Sequence, residues 1–262
     1  MRVEDDRSPA LVTGAAKGIG AAVAAVLAAE GRPVAVVDRD DDTVSDLAAK
    51  LTAEGHHVHA VAADVADADA VEAAVASAEG ALGPLGVLVN NAGVLPLGAL
   101  LDIDPADWAR SFAVNTDGVF HMSRAVGRRM RDRGRGSIVT VASNAAGVPR
   151  AGMGAYGSAK AAAMMLTRCL GLELAPHGVR ANVVCPGSTD TPMLRGMFAG
   201  DADEGIAGLV AGSPETFKVG IPLGRVADPA DVADAVAYLA SPRARHITMQ
   251  ALYVDGGATL RA

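Results

Sequence analysis

The stretch ALVTGAAKGIG, residues 10–20, decides the fold. Its first four residues carry no charge and do not alternate with polar residues, which indicates a strand buried on both faces of a parallel sheet. The glycines that follow permit a tight turn into an alanine-rich helix. The amino end of such a helix offers unpaired N–H groups and partial positive charge, which suit a phosphate or pyrophosphate. Taken alone, the pattern also fits an ordinary strand–helix turn.

The same alternation of strand and helix runs through the rest of the chain. Strands are predicted at 10–13, 33–37, 57–62, 87–90, 137–141, 180–184 and 251–254. Helices are predicted at 18–30, 43–54, 68–79, 105–131, 155–175 and 229–239. This alternation predicts an α/β fold, a single doubly wound parallel seven-stranded sheet of Rossmann type with helices on both faces. With no linker or repeat, 1–262 is predicted to be one dinucleotide-binding domain.

One segment interrupts this alternation. Residues 189–225 are rich in glycine and proline and show no clear periodicity. Structureless segments of this length are uncommon inside compact domains and are usually functional. We therefore expect 189–225, called the lid segment below, to close over a site.

Composition excludes several classes of protein. Half of the 262 residues are hydrophobic, which is too many for a disordered chain, and the net charge of -7 disfavours general nucleic-acid binding. Two cysteines, Cys169 and Cys185, cannot build a disulfide framework, which fits a reducing compartment and predicts a cytoplasmic protein. The amino-terminal residues 1–9 mix acids and bases, so we expect no signal peptide there.

Three local patterns have an ordinary structural interpretation. The uncharged stretch 81–101 is interrupted by two prolines and four glycines, so no membrane span is expected. The arginines between 128 and 135 are interpreted as a solvated helix end rather than a nucleic-acid patch. His56, His57 and His59 lack matched carboxylates or cysteines, so no metal site is predicted.

The end of the second predicted strand carries the residue that selects the dinucleotide. Asp38 follows the glycine loop by about twenty residues, where an acid accepts hydrogen bonds from the adenosine ribose and repels a 2′-phosphate. Arg39 and Lys17 favour the opposite choice, because either can meet a phosphate. A carboxylate facing a dianionic phosphate is the costlier contact, so we predict NAD rather than NADP. Asp38 also fits a solvated loop acid, since three more aspartates follow it.

Tyr156, Lys160 and Ser143 form the candidate catalytic group. Tyr156 and Lys160 are four residues apart on a predicted helix and share one face. An ammonium beside a phenol is expected to lower the phenol pKa, which makes a general base. Ser143 follows a strand at the carboxyl edge of the sheet, where its hydroxyl can hold a substrate oxygen. Each residue alone is more commonly structural; their combination points to catalysis.

Together these motifs resemble the short-chain dehydrogenase/reductase family over nearly the whole chain. The motifs are TGxxxGIG at 13–20, Asp64-Val65, NNAG at 90–93, Asn115, Ser143, YxxxK at 156–160 and Pro186-Gly187. The resemblance implies an oxidoreductase with catalytic residues Asn115, Ser143, Tyr156 and Lys160, in which Asn115 supports a water that relays protons to Lys160. It implies cofactor contacts from Gly14, Lys17, Gly18, Ile19, Gly20, Asp38, Arg39, Asp64, Val65, Asn91, Ala92, Gly93, Tyr156, Lys160, Pro186, Gly187, Thr189 and Thr191.

Further motifs lie at 143–146, 148–150, 152–153, 171–175, 186–191, 217–218, 220–224, 246–248 and 254–257. They resemble one subgroup of that family, which oxidises a ring hydroxyl of 2,3-dihydro-2,3-dihydroxybenzoate to the aromatic acid in siderophore or natural-product biosynthesis. Such a substrate, held by Ser143 and Tyr156, needs a cation for its carboxylate, and Arg150 lies between those two residues in sequence. Arg195 and Lys218 are rival cations, and Arg150 also fits a solvated loop. Met153 is expected to pack on the ring, or to serve plain loop packing.

Two other functions stay open. Gly147 suggests room for a changed ring substituent, which favours trans-2,3-dihydro-3-hydroxyanthranilate giving 3-hydroxyanthranilate. The other is a non-catalytic dinucleotide sensor. A sensor needs no base, so the presence of Tyr156 and Lys160 argues against it.

One predicted helix indicates an oligomer. Its apolar residues Met164, Met165, Leu166 and Leu170 are spread around the circumference, which suggests burial against another subunit. With the resemblance, this predicts a homotetramer.

Overall fold

The computed structural model describes residues 7–198 and 200–260, so both ends of the 1–262 range and residue 199 of the lid segment lie outside the described residues. Seven strands form one parallel sheet in the order β3-β2-β1-β4-β5-β6-β7. They are β1 Ala10–Thr13, β2 Val34–Asp38, β3 Val58–Ala62, β4 Val87–Asn90, β5 Gly136–Val141, β6 Val179–Pro186 and β7 Ala251–Val254. Every predicted strand is present, with ends that differ by at most two residues. The predicted fold class is confirmed.

Helices cover both faces of the sheet. They are α1 Gly18–Ala29, α2 Asp41–Ala53, α3 Ala68–Leu82, α4 Pro105–Phe112, α5 Gly118–Arg133, α6 Gly154–Leu174, α7 Pro192–Arg195, α8 Ala202–Ala211 and α9 Pro229–Ala240. Aspartates fix several helix starts: Asp40, Asp67, Asp104 and Asp228 each accept a hydrogen bond from a backbone N–H in the first turn. Their side chains satisfy donors that no helical carbonyl reaches.

The core lies in two layers, one on each side of the sheet. Successive residues of a strand point to opposite faces, so Leu11 packs in one layer and Val12 in the other, both fully buried. Buried alanines such as Ala24 on α1 and Ala233 on α9 let these helices lie close to the sheet and to each other. This is how a chain with 3% aromatic residues builds its core.

The single helix predicted at 105–131 is interrupted. A π-helical turn, Ala113–Asp117, joins α4 to α5 and carries the buried Asn115. Such turns insert an extra residue and often occur at functional sites. Apolar periodicity cannot show a one-residue insertion, because the flanking helices keep their buried faces.

Two of the arginines at the end of α5 pair with acids on α3. Arg129 lies 3.1 Å from Glu72 and 3.4 Å from Glu79, and Arg133 lies 2.9 Å from Glu79. The helix then ends at the left-handed Gly134. These pairs support the interpretation of the run as a helix end.

The lid segment contains α7 and α8, which the sequence did not predict. Its base is closed by two backbone hydrogen bonds, Asp190 N to Ala227 O and Ala227 N to Ser188 O, both 2.9 Å. The segment is therefore a folded excursion fastened where it leaves and rejoins the sheet edge. Across residues 7–198 and 200–260, every helix is too short or too polar to span a membrane.

Candidate active site

The chain builds the sheet outward from β1, with β2 and β3 on one side and β4 to β7 on the other. Such a switch point between β1 and β4 opens a crevice at the carboxyl ends of the strands. Gly14 follows β1 there with a φ of +61°, and a Cβ at this residue would lie 2.6 Å from the Cα of Ala92. At Gly20, a Cβ would collide with the carbonyl oxygen of Gly14. Larger residues at either position would push the loop off the end of the sheet. The glycines thus form a cradle open to a phosphate.

Thr13 and Asn91 fasten this cradle to β4. The Thr13 hydroxyl accepts hydrogen bonds from the backbone N–H groups of Asn91, at 3.0 Å, and Ala92, at 3.1 Å. The Asn91 side-chain amide donates to the carbonyls of Thr13, at 3.1 Å, and Gly14, at 3.0 Å. Asn91 therefore holds the loop as well as lining the crevice.

Asp38 at the end of β2 lies beside the cradle. Its carboxylate accepts hydrogen bonds from the backbone N–H groups of Ala16, at 3.1 Å, and Asp40, at 3.2 Å. Lys17 Nζ lies 3.5 Å from the Asp40 carboxylate, whereas Arg39 is exposed. The acid is thus held at the crevice edge, and one of the two rival cations is paired with another acid.

A cavity of about 430 Å³ joins this cradle to the catalytic residues. Most of the predicted site residues line it: Gly14, Lys17, Gly18, Ile19, Asp38, Arg39, Asn91, Ala92, Gly93, Ser143, Arg150, Met153, Tyr156, Lys160, Pro186, Gly187, Thr189 and Thr191. Four predicted site residues do not line it: Gly20, Asp64, Val65 and Asn115. Asp64 and Val65 follow β3, where Asp64 accepts a hydrogen bond from Ala66 N and Val65 is buried.

Ser143, Tyr156 and Lys160 line the cavity together. Ser143 follows β5 and hydrogen-bonds Tyr156, and its Oγ accepts from Ala145 N at 3.1 Å. Lys160 is buried on α6, where Nζ donates to the Val141 carbonyl at 2.9 Å and lies 5.9 Å from the Tyr156 ring centroid. Strand β5 and helix α6 thus place the hydroxyl, phenol and ammonium side by side.

Burial dominates the acid–base balance of this group. Burial raises the pKa of Tyr156, although its hydrogen bond with Ser143 opposes the shift. Burial also lowers the pKa of Lys160 to about 8. The expected downward shift of the Tyr156 pKa is therefore not seen, because burial is the largest cause and it acts upward.

Asn115 fixes the loop that follows β4. Its side chain donates to the Val94 carbonyl at 2.9 Å and accepts from Val94 N at 3.1 Å. Between Asn115 and Lys160 sits Gly93, where a Cβ would lie 2.9 Å from Asn115 Oδ1 and 3.3 Å from Lys160 Nζ. The π-helical turn thereby positions a loop that touches the catalytic lysine.

Thr189 and Thr191 begin the lid segment next to the cradle. Thr189 is buried, and Thr191 caps α7 by accepting a hydrogen bond from Leu194 N at 3.2 Å. A Cβ at Gly18 would lie 3.1 Å from Thr191 Cγ2. The first turn of α1 and the start of the lid segment are therefore in close contact.

The cavity lining also carries two cations that influence each other. Arg150 and Lys218 both line it, whereas Arg195 is turned away and pairs with Asp190, at 2.6 Å, and Asp203, at 3.0 Å. Burial lowers the pKa of Lys218, and the charge of Arg150 lowers it further. The proximity of two positive groups indicates a site for an anion.

Gly147 is not among the residues lining the cavity. It ends the 3-10 turn Asn144–Ala146 that follows Ser143. The expectation that it makes room beside a ring therefore has no support in the structure. Within 7–198 and 200–260, no three metal-ligating side chains cluster.

Sequence reasoning missed several residues of the site. Lining residues that it did not assign are Asp40, Leu95, Val141, Ala142, Asn144, Ser188, Pro192, Met193, Leu194, Met197, Leu209, Gly220, Ile221 and Ala258. Many belong to the lid segment, whose apolar side chains carry no motif. A strand register would have indicated Ser188, since it follows β6 at the same edge.

Known proteins with similar sequences share this architecture. The family model described as short chain dehydrogenase matches residues 8–202. The chain is 51% identical over 251 residues, 96% of this chain and 95% of the relative, to 2,3-dihydro-2,3-dihydroxybenzoate dehydrogenase of Bacillus subtilis (strain 168). It is 43% identical to the enzyme of the same name from Escherichia coli (strain K12), with 96% of each chain covered.

A solved structure agrees. A short chain dehydrogenase/reductase family protein superposes with a TM-score of 0.84 at 37% identity, covering 97% of this chain and 98% of the other. The glycine cradle, the Ser143–Tyr156–Lys160 group and these similarities lead to one conclusion: the chain belongs to the short-chain dehydrogenase family and is a dehydrogenase that acts on hydroxyl substrates.

Proposed function

We propose that the protein oxidises a ring hydroxyl of 2,3-dihydro-2,3-dihydroxybenzoate to give 2,3-dihydroxybenzoate, with NAD as the cofactor. The observation that carries this is that Arg150 lines the same cavity as Ser143 and Tyr156. A guanidinium binds a carboxylate bidentately, so the cavity suits a ring that bears both an acid and an alcohol. The names of two relatives support the same substrate.

The crevice fits a nicotinamide dinucleotide. Gly14 and Gly18 leave the backbone open at the amino end of α1, where a pyrophosphate is favoured. Asp38 is fixed at the end of β2, where an adenosine ribose would donate to it. Since Asp40 pairs with Lys17, that lysine is less available to a 2′-phosphate. These contacts support NAD over NADP.

The catalytic residues act on the substrate hydroxyl. Ser143 holds the hydroxyl oxygen, and Tyr156 as phenolate accepts its proton. Lys160 stabilises the phenolate by its charge. When bound, NAD supplies the acceptor for the hydride from the carbinol carbon. The resulting ring ketone tautomerises to a catechol, and the gain of aromaticity makes the oxidation favourable.

The proton taken up by Tyr156 is proposed to leave toward bulk water past Lys160 and Asn115. The proposed water relay from Asn115 to Lys160 stays a prediction. The Asn115 side chain already bonds both backbone groups of Val94, so a relay would use its backbone carbonyl. The side chain itself would keep Gly93 against Lys160.

The lid segment is proposed to cover the bound ring. Its residues Met193, Met197 and Leu209 line the cavity together with Met153 and would exclude water from the reacting carbon. Met153 would pack on the ring from the loop before α6. Residues 1–262 are proposed to act as one catalytic domain, and both a cytoplasmic location and a role in siderophore biosynthesis stay predictions.

The decisive experiment offers the purified protein NAD and 2,3-dihydro-2,3-dihydroxybenzoate and follows NADH absorbance. Rapid turnover supports the proposal. The amino analogue, trans-2,3-dihydro-3-hydroxyanthranilate, is offered in parallel, and preference for it would overturn the diol as substrate. Binding of NAD without turnover of any ring alcohol would instead favour a dinucleotide sensor.

A further inference from the structure

Lys218 is held in the cavity wall by a tight hairpin within the lid segment. Ser213 N donates to Lys218 O, and Lys218 N donates to Ser213 O, both at 2.9 Å. Phe217 between them has a left-handed φ of +54° although it is not glycine. Strained residues of this kind persist where surrounding contacts demand them, often at ligand sites.

The position of Lys218 differs from that of the other lid cation. Arg195 on α7 donates hydrogen bonds to Asp190 and to Asp203 on α8, which connects the two helices. Among residues 7–198 and 200–260, no acid lies within ion-pair distance of the Lys218 ammonium. Lys218 is half-buried and lines the same cavity as Ser143 and Tyr156.

Arg150 lines the same cavity, is near enough to lower the pKa of Lys218 by its charge, and forms no ion pair with the described residues. Its one hydrogen bond with the described residues is a long one, from Nη2 to the Ala258 carbonyl at 3.4 Å. Asp255 provides a favourable charge without an ion pair. Two half-buried cations on opposite segments repel each other, and an anion between them would turn that repulsion into two attractions.

We propose that Lys218 is a second ligand of the substrate carboxylate, which it shares with Arg150 and which thereby fastens the lid segment over the ring. The carboxylate itself rests on the proposed function. Arg150 stands on the loop between β5 and α6, and Lys218 on the lid segment. A carboxylate bound by both therefore joins the fixed and the covering walls of the site.

This arrangement makes the acid group a specificity determinant. A ring alcohol without a carboxylate would meet two unpaired cations and would not hold the lid segment down. It would bind weakly, and water would reach the reacting carbon. Discrimination would thus act on affinity and on closure together.

The test compares 2,3-dihydroxybenzoate with catechol, which differs only in lacking the carboxylate. Binding of each to the NAD-loaded protein is measured by calorimetry for wild type, Lys218→Gln and Lys218→Arg. Loss of a charged hydrogen bond predicts about ten- to a hundredfold weaker binding of 2,3-dihydroxybenzoate to Lys218→Gln, with catechol unchanged. Lys218→Arg should restore most of the loss. Lys50→Gln, which removes an exposed charge on α2, controls for net charge.

Closure has its own readout. In wild type, 2,3-dihydroxybenzoate should slow amide hydrogen exchange in residues 200–225, and catechol should not. The effect should vanish in Lys218→Gln. Equal affinity of wild type and Lys218→Gln for 2,3-dihydroxybenzoate, with equal protection, overturns the assignment of Lys218.

Failure of the substrate proposal looks different. If wild type binds 2,3-dihydroxybenzoate through Lys218 but does not oxidise the dihydrodiol, the substrate is wrong and the anion site stands. If wild type and Lys218→Gln oxidise the dihydrodiol with the same KM, the substrate stands and the role of Lys218 is wrong.

Discussion

Lys160 Nζ donates a hydrogen bond of 2.9 Å to the carbonyl of Val141, the last residue of β5. The ammonium is thereby tied to the strand that leads to Ser143, and it is almost wholly buried. Burial lowers its pKa from 10.5 to about 8. The catalytic group is therefore assembled at a cost in stability, because a charge is held away from water.

That cost predicts a stability difference that depends on pH. Between pH 8 and 10.5 the unfolded lysine keeps its proton while the folded one releases it, so wild-type stability rises relative to Lys160→Met. The full relative gain is on the order of 3 kcal/mol. Urea unfolding of both proteins at several pH values measures it. A difference in unfolding free energy that stays constant across this pH range would show that the pKa of Lys160 is not lowered in the folded protein.

Tyr156→Phe should lower turnover sharply while NAD still binds, because the ring is kept and only its hydroxyl is lost. The phenol is the only proposed base, so kcat should fall by about a hundred- to ten-thousandfold. The rate of NADH formation from NAD and the dihydrodiol measures the loss of turnover, and titration of the variant with NAD provides the control. Full turnover by Tyr156→Phe would remove the phenol from the mechanism.

The wild-type rate should rise toward alkaline pH. Burial raises the pKa of Tyr156, so the phenolate population grows as pH increases through the neutral range. The rise should weaken above about pH 8, because Lys160 then loses the charge that supports the phenolate. A profile of kcat/KM against pH checks both limbs. A rate that falls steadily from neutral to alkaline pH would contradict a buried phenol as base.

Much of the site follows from sequence because parallel strands end at one edge. Gly14, Asp38 and Ser143 each follow a predicted strand, so their meeting needed only the strand order. The pKa of Tyr156 did not follow, because spacing shows the neighbouring charge but not the depth of burial. The choice between the lid cations Lys218 and Arg195 did not follow from sequence either, because both are basic residues of the same segment. The structure distinguishes them: Arg195 pairs with two aspartates, whereas Lys218 lines the cavity.

Arg150→Ala should raise KM for the dihydrodiol acid with a smaller effect on kcat. A guanidinium that binds the carboxylate in both ground and transition state contributes uniform binding, so about a ten- to hundredfold rise in KM is expected. Arg245→Ala, which removes an exposed arginine that does not line the cavity, is the matched control. An unchanged KM in Arg150→Ala would show that the carboxylate binds elsewhere.

Asp38→Asn should narrow the preference for NAD over NADP. The amide keeps the shape and an acceptor oxygen for the backbone of the loop but no longer repels a 2′-phosphate. The ratio of kcat/KM values for the two cofactors should fall by about tenfold or more, since removing a close like charge is worth over 1 kcal/mol. An unchanged ratio would mean that another residue selects the cofactor.

The outer surfaces of α5 and α6 are proposed to pair in a homotetramer. A groove of about 310 Å³ runs between these helices, and Phe120 in it is 47% exposed. Its lining combines apolar residues with charged ones, which include Phe120, Leu166, Leu170, Arg124, Arg128, Arg131 and Glu173. Apolar surface of this kind on helices is usually covered by another subunit. Sedimentation should therefore find a species near four times 26.3 kDa. Phe120→Glu should shift it to smaller species, whereas Thr52→Glu on the exposed face of α2 should not. A wild-type protein that sediments as a single 26.3 kDa chain at micromolar concentration would contradict the assembly.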